Sequence, residues 1–164
     1  MNRAQSNQIE PANLSHYDAS GSPRMVDVSE KLGTRRTARA HAFVRIAREV
    51  LAKLPESPKG DPLEVARIAG IMAAKKTSEL IPMCHPLPLS HADVQVTIEE
   101  NGVRVFATAT TTAQTGVEME ALTAAAIAAL TVYDMTKALD KGIEIQDLYL
   151  VEKTGGKSGD FIRK

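Results

Sequence analysis

The chain has 164 residues, so one domain is expected, and twenty basic against twenty acidic residues leave no formal net charge. That balance argues against bulk electrostatic binding to nucleic acid or anionic membranes, while leaving room for a local anion pocket. Three Phe, three Tyr and no Trp offer little for stacking on single-stranded bases. The lone Cys84 forbids an intramolecular disulfide, so a reducing cytoplasm is the expected setting.

Residues 1–23 carry Asn, Ser, Gly and Pro with few apolar anchors and read as a flexible arm ahead of a single domain at 24–164. The arm holds no apolar core of a signal peptide, and the longest uncharged apolar run falls short of the roughly 20 residues that a membrane span needs. Residues 25–29 (MVDVS) read as a short strand. Phe43, Ile46, Ala47, Val50, Leu51 and Leu54 recur at helical spacing, so a helix is expected over 37–54, stopped by Pro55. The turn-rich PESPKGDP that follows exposes Lys59. Asp61 before Pro62 is an N-cap with proline at the first helical position. It opens a second helix to about Leu80, in which Gly70 marks close packing. Pro82, Pro86 and Pro88 make the next stretch extended and stiff.

Residues 94–98 and 103–110 alternate apolar and polar side chains around EENG, a hairpin signal. The stretch 118–137, EMEALTAAAIAALTVYDMTK, predicts a long helix ending near Gly142. Its thirteen residues between Glu120 and Asp134 are all uncharged, so burial on more than one side is expected. A last strand is expected at 145–151, ahead of the closing TGGKSGDFIRK. These elements predict an α+β fold, an antiparallel sheet with helices packed on one face. With a strand at 25–28 it becomes a ferredoxin-like βαββαβ arrangement.

Ionisable groups emerging from an apolar helix are where pKa values shift, so Asp134 and Lys137 are candidate acid–base residues. They lie three apart on one helical face. An apolar setting would lower the lysine toward neutrality, with the carboxylate opposing that shift; an ordinary surface ion pair explains the spacing equally well. Glu118 and Glu120 suit the positive end of the helix dipole, and one of them could accept hydrogen bonds from a guanine-like edge. Met83, Cys84 and His85 lack the partners of a zinc site, there being no second Cys and no HExxH. They read either as a rigid loop offering backbone groups and an imidazole to a ligand, or as a buried Cys beside a solvent-facing His. GGKSG at 155–159 is not a P-loop, because Val151 stands where the first glycine is needed, but with Lys153 and Lys157 it could form an anion nest. Arg35, Arg36 and Arg39, with Lys59, are either a solvated basic face or cations for a polyphosphate. Taken together, these residues point to a small-molecule enzyme acting on an anionic, phosphorylated substrate by acid–base chemistry.

The motifs MVDVSEK at 25–31, KGD at 59–61, ARIAGIMAAKKTSELIPMCHPL at 66–87, TGVEMEALTAA at 115–125, LTVYDMTKA at 130–138 and GGKSGDF at 155–161 are long and specific. In this order the chain resembles the molybdenum cofactor biosynthesis protein C family of cyclic pyranopterin monophosphate synthases. Met83 stands where that family more often has Leu, and Thr136 where Cys often sits. The resemblance implies a lyase converting (8S)-3′,8-cyclo-7,8-dihydroguanosine 5′-triphosphate to cyclic pyranopterin monophosphate with loss of diphosphate. It implies Asp134 and Lys137 as catalytic residues. It also implies Arg36, Lys59, Met83, Cys84, His85, Glu118, Met119, Glu120 and Lys153 as substrate-binding residues. No metal ligand and no redox cofactor are implied, and a Mg²⁺ travelling with the triphosphate is left open. A homohexamer, built as a trimer of dimers with sites at the dimer interface, is implied as well. The two charged ends of the long helix are about 20 Å apart at 1.5 Å per residue, so joint service in one site would require them to meet across a dimer. The rivals are a nucleotide-sensing module that keeps the pocket without the chemistry, and a phosphohydrolase, which would ordinarily show a metal-binding cluster.

Overall fold

The computed structural model describes residues 17–18, 20–54 and 60–164. The elements run β1 (Thr34–Arg45), α1 (Arg48–Leu51), α2 (Pro62–Ala74), α3 (Thr77–Leu80), β2 (Leu89–Glu99), β3 (Gly102–Ala113), α4 (Glu118–Thr136), β4 (Glu144–Thr154) and β5 (Phe161–Ile162). The strands form one sheet in the order β2-β3-β1-β4-β5, each neighbouring pair antiparallel. With α2 as the first crossover and α4 as the second, this is the ferredoxin-like α+β arrangement, helices on one face of the sheet.

The route to that fold differs from the sequence expectation at one central place. Residues 37–45 belong to a strand, not a helix, and the short α1 follows. Ala38, Ala40, Ala42 and Val44 alternate onto the helix-covered face and are buried. The opposite face should have been polar, yet His41 and Phe43 are only 6% and 9% exposed. On that face the rings of Phe106 of β3 and Tyr149 of β4 pack on His41 at 5.1 and 4.8 Å between centroids, which blurs the alternation that identifies a strand. Residues 25–29 form no strand, so β1 supplies the first strand of the βαββαβ order.

Other elements fall close to expectation. The Asp61 carboxylate accepts the Leu63 and Glu64 amides at 2.9 and 3.3 Å, capping α2 behind Pro62. The helix expected to reach Leu80 breaks at Lys75 and Lys76, where the chain turns into α3. Gly70 is a close approach: a Cβ there would lie 2.9 Å from the Ala124 carbonyl and 3.1 Å from the Ala128 methyl of α4. The β2–β3 hairpin turns at Glu100 and Asn101, with Glu99 opposite Gly102. Helix α4 stops at Thr136, short of Gly142, and the chain leaves it through a turn in which the Leu139 amide donates to the Thr136 carbonyl.

The core is built from small side chains. Ala121, Ala124, Ala125, Ala128 and Ala129 of α4 meet Ala38, Ala40 and Ala42 of β1 and Ala107 and Ala109 of β3. The outward side of α4 is apolar too. Leu130 is half exposed and Met119 more than a third, so the described residues leave this side open. Of the arm expected at 1–23, residues 1–16 and 19 lie outside the described residues. Among the described residues, no helix is long and apolar enough to cross a membrane.

Candidate active site

Helix α4 begins where β3 leaves the sheet, and its first turn opens into a two-lobed cleft. The first lobe, about 310 Å³, lies between that turn and the end of β4 with its glycine loop. The second, about 380 Å³, lies between the same turn, the proline-rich stretch after α3 and the segment at 26–31. Lys31, Thr115, Gly116 and Glu118 border both lobes.

The first lobe is cationic. Arg36 sits near the start of β1; its Nε donates to the Ala113 carbonyl at 3.0 Å and its Nη2 to the Gln114 carbonyl at 3.1 Å. Gly155 and Gly156 have φ near +83° and +87°, and a Cβ at Gly156 would collide with the Arg36 guanidinium. Glycine is therefore needed there both for the left-handed backbone and for the arginine's place against it. Lys153 Nζ donates to Glu118 at 2.9 Å. Lys157 and Ser158 complete the wall, so the glycine loop borders the cleft rather than hanging away from it.

The second lobe is carboxylate-lined and partly apolar. Glu120 is 4% exposed, and burial pushes its carboxyl pKa up, with the Glu118 charge adding to the shift. Burial, with the Glu120 charge, likewise raises the Cys84 thiol. Cys84 is therefore held as the neutral thiol and is not an activated nucleophile. His85 Nε2 lies 2.8 Å from the Val26 carbonyl. A carbonyl can only accept, so Nε2 carries a proton and ties the segment around Val26 onto the cleft.

Arg36, Met83, Cys84, His85, Glu118, Met119, Glu120 and Lys153 thus come together around one cleft. Lys59 lies outside the described residues. Asp134 and Lys137 do not reach the cleft: they sit at the other end of α4, about 20 Å away along its axis. There Lys137 Nζ donates to Asp134 Oδ1 at 2.6 Å, and both side chains are more than half exposed. The lowered lysine expected from an apolar setting is overturned within the single chain. The Asp134 hydrogen bond and charge raise Lys137 above its ordinary value and outweigh the opposing effect of desolvation. Sequence reasoning also passed over Lys31, which lies in the MVDVSEK motif but carried no spacing signal of its own. Among the described residues, no three His, Cys, Asp or Glu side chains are grouped so as to hold a metal ion.

The ferredoxin-like fold, with a cleft that is cationic on one side and carboxylate-lined on the other, defines an enzyme for a small molecule. The sequence matches the MoaC family over residues 25–156, and the chain belongs to that family. It is 54% identical over 150 residues to a cyclic pyranopterin monophosphate synthase of Deinococcus radiodurans, covering 90% of this chain and 89% of that protein. A protein of the same name from a Nostoc species is 54% identical over 154 residues, 92% of each chain. Another from Staphylococcus epidermidis is 49% identical over 159 residues, 93% of this chain and 98% of that one.

Proposed function

We propose that the chain is the lyase that converts (8S)-3′,8-cyclo-7,8-dihydroguanosine 5′-triphosphate to cyclic pyranopterin monophosphate with release of diphosphate, in molybdenum cofactor biosynthesis. Membership of the MoaC family and the names of its relatives support this, and the two-lobed cleft carries it in chemical terms. A triphosphate needs cations, which Arg36, Lys153 and Lys157 supply in the first lobe. A guanine-derived ring needs hydrogen-bond partners in a partly apolar slot, which Glu120 and His85 supply beside Met83 and Met119 in the second. A buried carboxyl with a raised pKa can keep its proton at a pH where exposed carboxyls have lost theirs, and so can donate to a ring acceptor.

Ring rearrangement needs proton transfers, and in this reading Asp134 and Lys137 perform them from a second copy of the chain. The exposed apolar side of α4 supports that arrangement: Leu130 lies one turn before Asp134, so the charged pair ends an uncovered apolar stripe. Packing two copies along the stripe would desolvate the pair and bring it to the partner's cleft, in a homohexamer assembled as a trimer of dimers. The reaction calls for no redox cofactor, and Mg²⁺ bound to the triphosphate is compatible with it. A cytoplasmic setting fits the single thiol of Cys84. The test is to supply the cyclised dihydro-GTP and follow diphosphate and pterin together. Binding without turnover would favour a nucleotide-sensing module instead.

A further inference from the structure

Four residues border both lobes, and Lys31 is the cation among them. Arg36 is engaged with the Ala113 and Gln114 carbonyls, and Lys153 with Glu118. The Lys31 ammonium makes no ion pair or side-chain hydrogen bond among the described residues. Its position is nevertheless built. The Asp27 carboxylate accepts from the Ser29 amide at 2.9 Å and the Ser29 hydroxyl at 2.7 Å. The Lys31 amide donates to the Val28 carbonyl at 3.0 Å. The His85 bond to Val26 then fastens this turn to the second lobe.

We propose that Lys31 is a catalytic residue, its ammonium contacting the α-phosphoryl group of the bound triphosphate as the cyclic phosphate forms. This rests on the substrate reading given above. In that substrate, the sugar and the α-phosphate join the ring to the β- and γ-phosphates. With the ring in the second lobe and the terminal phosphates in the first, the joining group lies at the wall the lobes share. There a sugar hydroxyl oxygen bonds to the α-phosphorus, and the bond from that phosphorus to the oxygen bridging to the β-phosphate breaks. Diphosphate leaves with the electron pair of the broken bond, and the hydroxyl proton passes to water. Charge shifts onto the α-phosphoryl and bridging oxygens during this step, so a cation fixed at the junction stabilises the transition state more than the bound substrate.

Steady-state release of diphosphate from the cyclised dihydro-GTP is compared for wild type, Lys31→Ala and Lys31→Arg. The kcat of Lys31→Ala should fall on the order of 100-fold or more, as for loss of one transition-state donor, with a much smaller change in KM. Lys31→Arg should recover part of the loss. The side chain is exposed, so the melting temperature should match that of wild type, and Lys31→Gln gives a second neutral variant should Lys31→Ala misfold. An unchanged kcat, or a rise in KM alone, overturns the assignment. Wild type that releases no diphosphate overturns the substrate reading, and this inference with it. Wild-type turnover with an indifferent Lys31→Ala overturns the role of Lys31 alone.

Discussion

Lys153 Nζ and Glu118 Oε1 lie 2.9 Å apart at the mouth of the first lobe, each side chain less than a third exposed. A carboxylate that borders both lobes therefore neutralises a cation that a phosphate would use. In the proposed function, ligand phosphate competes with Glu118 for this lysine.

Glu118→Gln should consequently bind inorganic diphosphate more tightly than wild type. A partly exposed pair is worth up to about 1 kcal/mol, so the gain is at most about fivefold in Kd. Isothermal titration measures it directly, and equal or weaker binding by the variant would show that the pair does not gate the lobe.

The buried Glu120 makes a prediction about stability. Its carboxyl is raised above the ordinary 4.5, so from pH 4.5 up to the raised value the folded chain keeps a proton that the unfolded chain has lost. Stability therefore falls as pH rises through that window and stays lowered above it. Glu120→Gln imitates the protonated acid at every pH. It should melt higher than wild type at neutral pH, with the difference closing below the ordinary value of 4.5. Thermal melts across pH test this, and a wild type that melts higher at pH 7 would contradict it.

At the far end of α4, Asp134→Asn and Lys137→Ala should leave the fold of the individual chain intact, since the pair is exposed there and packs against none of its core. Turnover should fall by a factor on the order of 10² to 10⁴, the usual worth of a general acid or base. Chains carrying Lys137→Ala and chains carrying Lys153→Ala, refolded together in equal amounts, should recover about a quarter of wild-type activity if each site draws on two copies. Recovery absent from the mixture, or a monomer in sedimentation, would sink the shared-site reading.

Much of this was legible in the residues. Asp61 with Pro62 named the start of α2, Gly70 its closest approach, and EENG the hairpin turn, because each depends on local chemistry alone. Strand β1 was misread because the side chains that cover its second face, Phe106 of β3 and Tyr149 of β4, lie far along the chain. The candidate site residues were named through motifs, yet which of them border one cleft was not readable from spacing. Lys31 shows the same limit. Its place at the cleft comes from a turn fastened by His85, 54 positions away in the sequence, and no local pattern announces such a contact.

The glycine loop yields a further expectation. Gly156→Ala places a methyl group where the Arg36 guanidinium lies, at a left-handed φ of +87°. Backbone strain of about 1–3 kcal/mol and a displaced arginine should raise KM for the triphosphate about tenfold or more, with a smaller effect on kcat. Kinetics beside a melting curve separate this from simple unfolding; an unchanged KM would mean that Arg36 does not touch the phosphates.

Helix α4 lies on the sheet through methyl groups, with Gly70 pressed against its other flank. Contacts this short leave the helix no slack to slide or roll, because interiors at native density yield little to load. The helix is in effect a ruler: one end is graduated at the cleft, the other at Asp134 and Lys137, and nineteen residues set the interval. Any assembly in which one copy's charged pair serves another copy's cleft must be dimensioned to that fixed length.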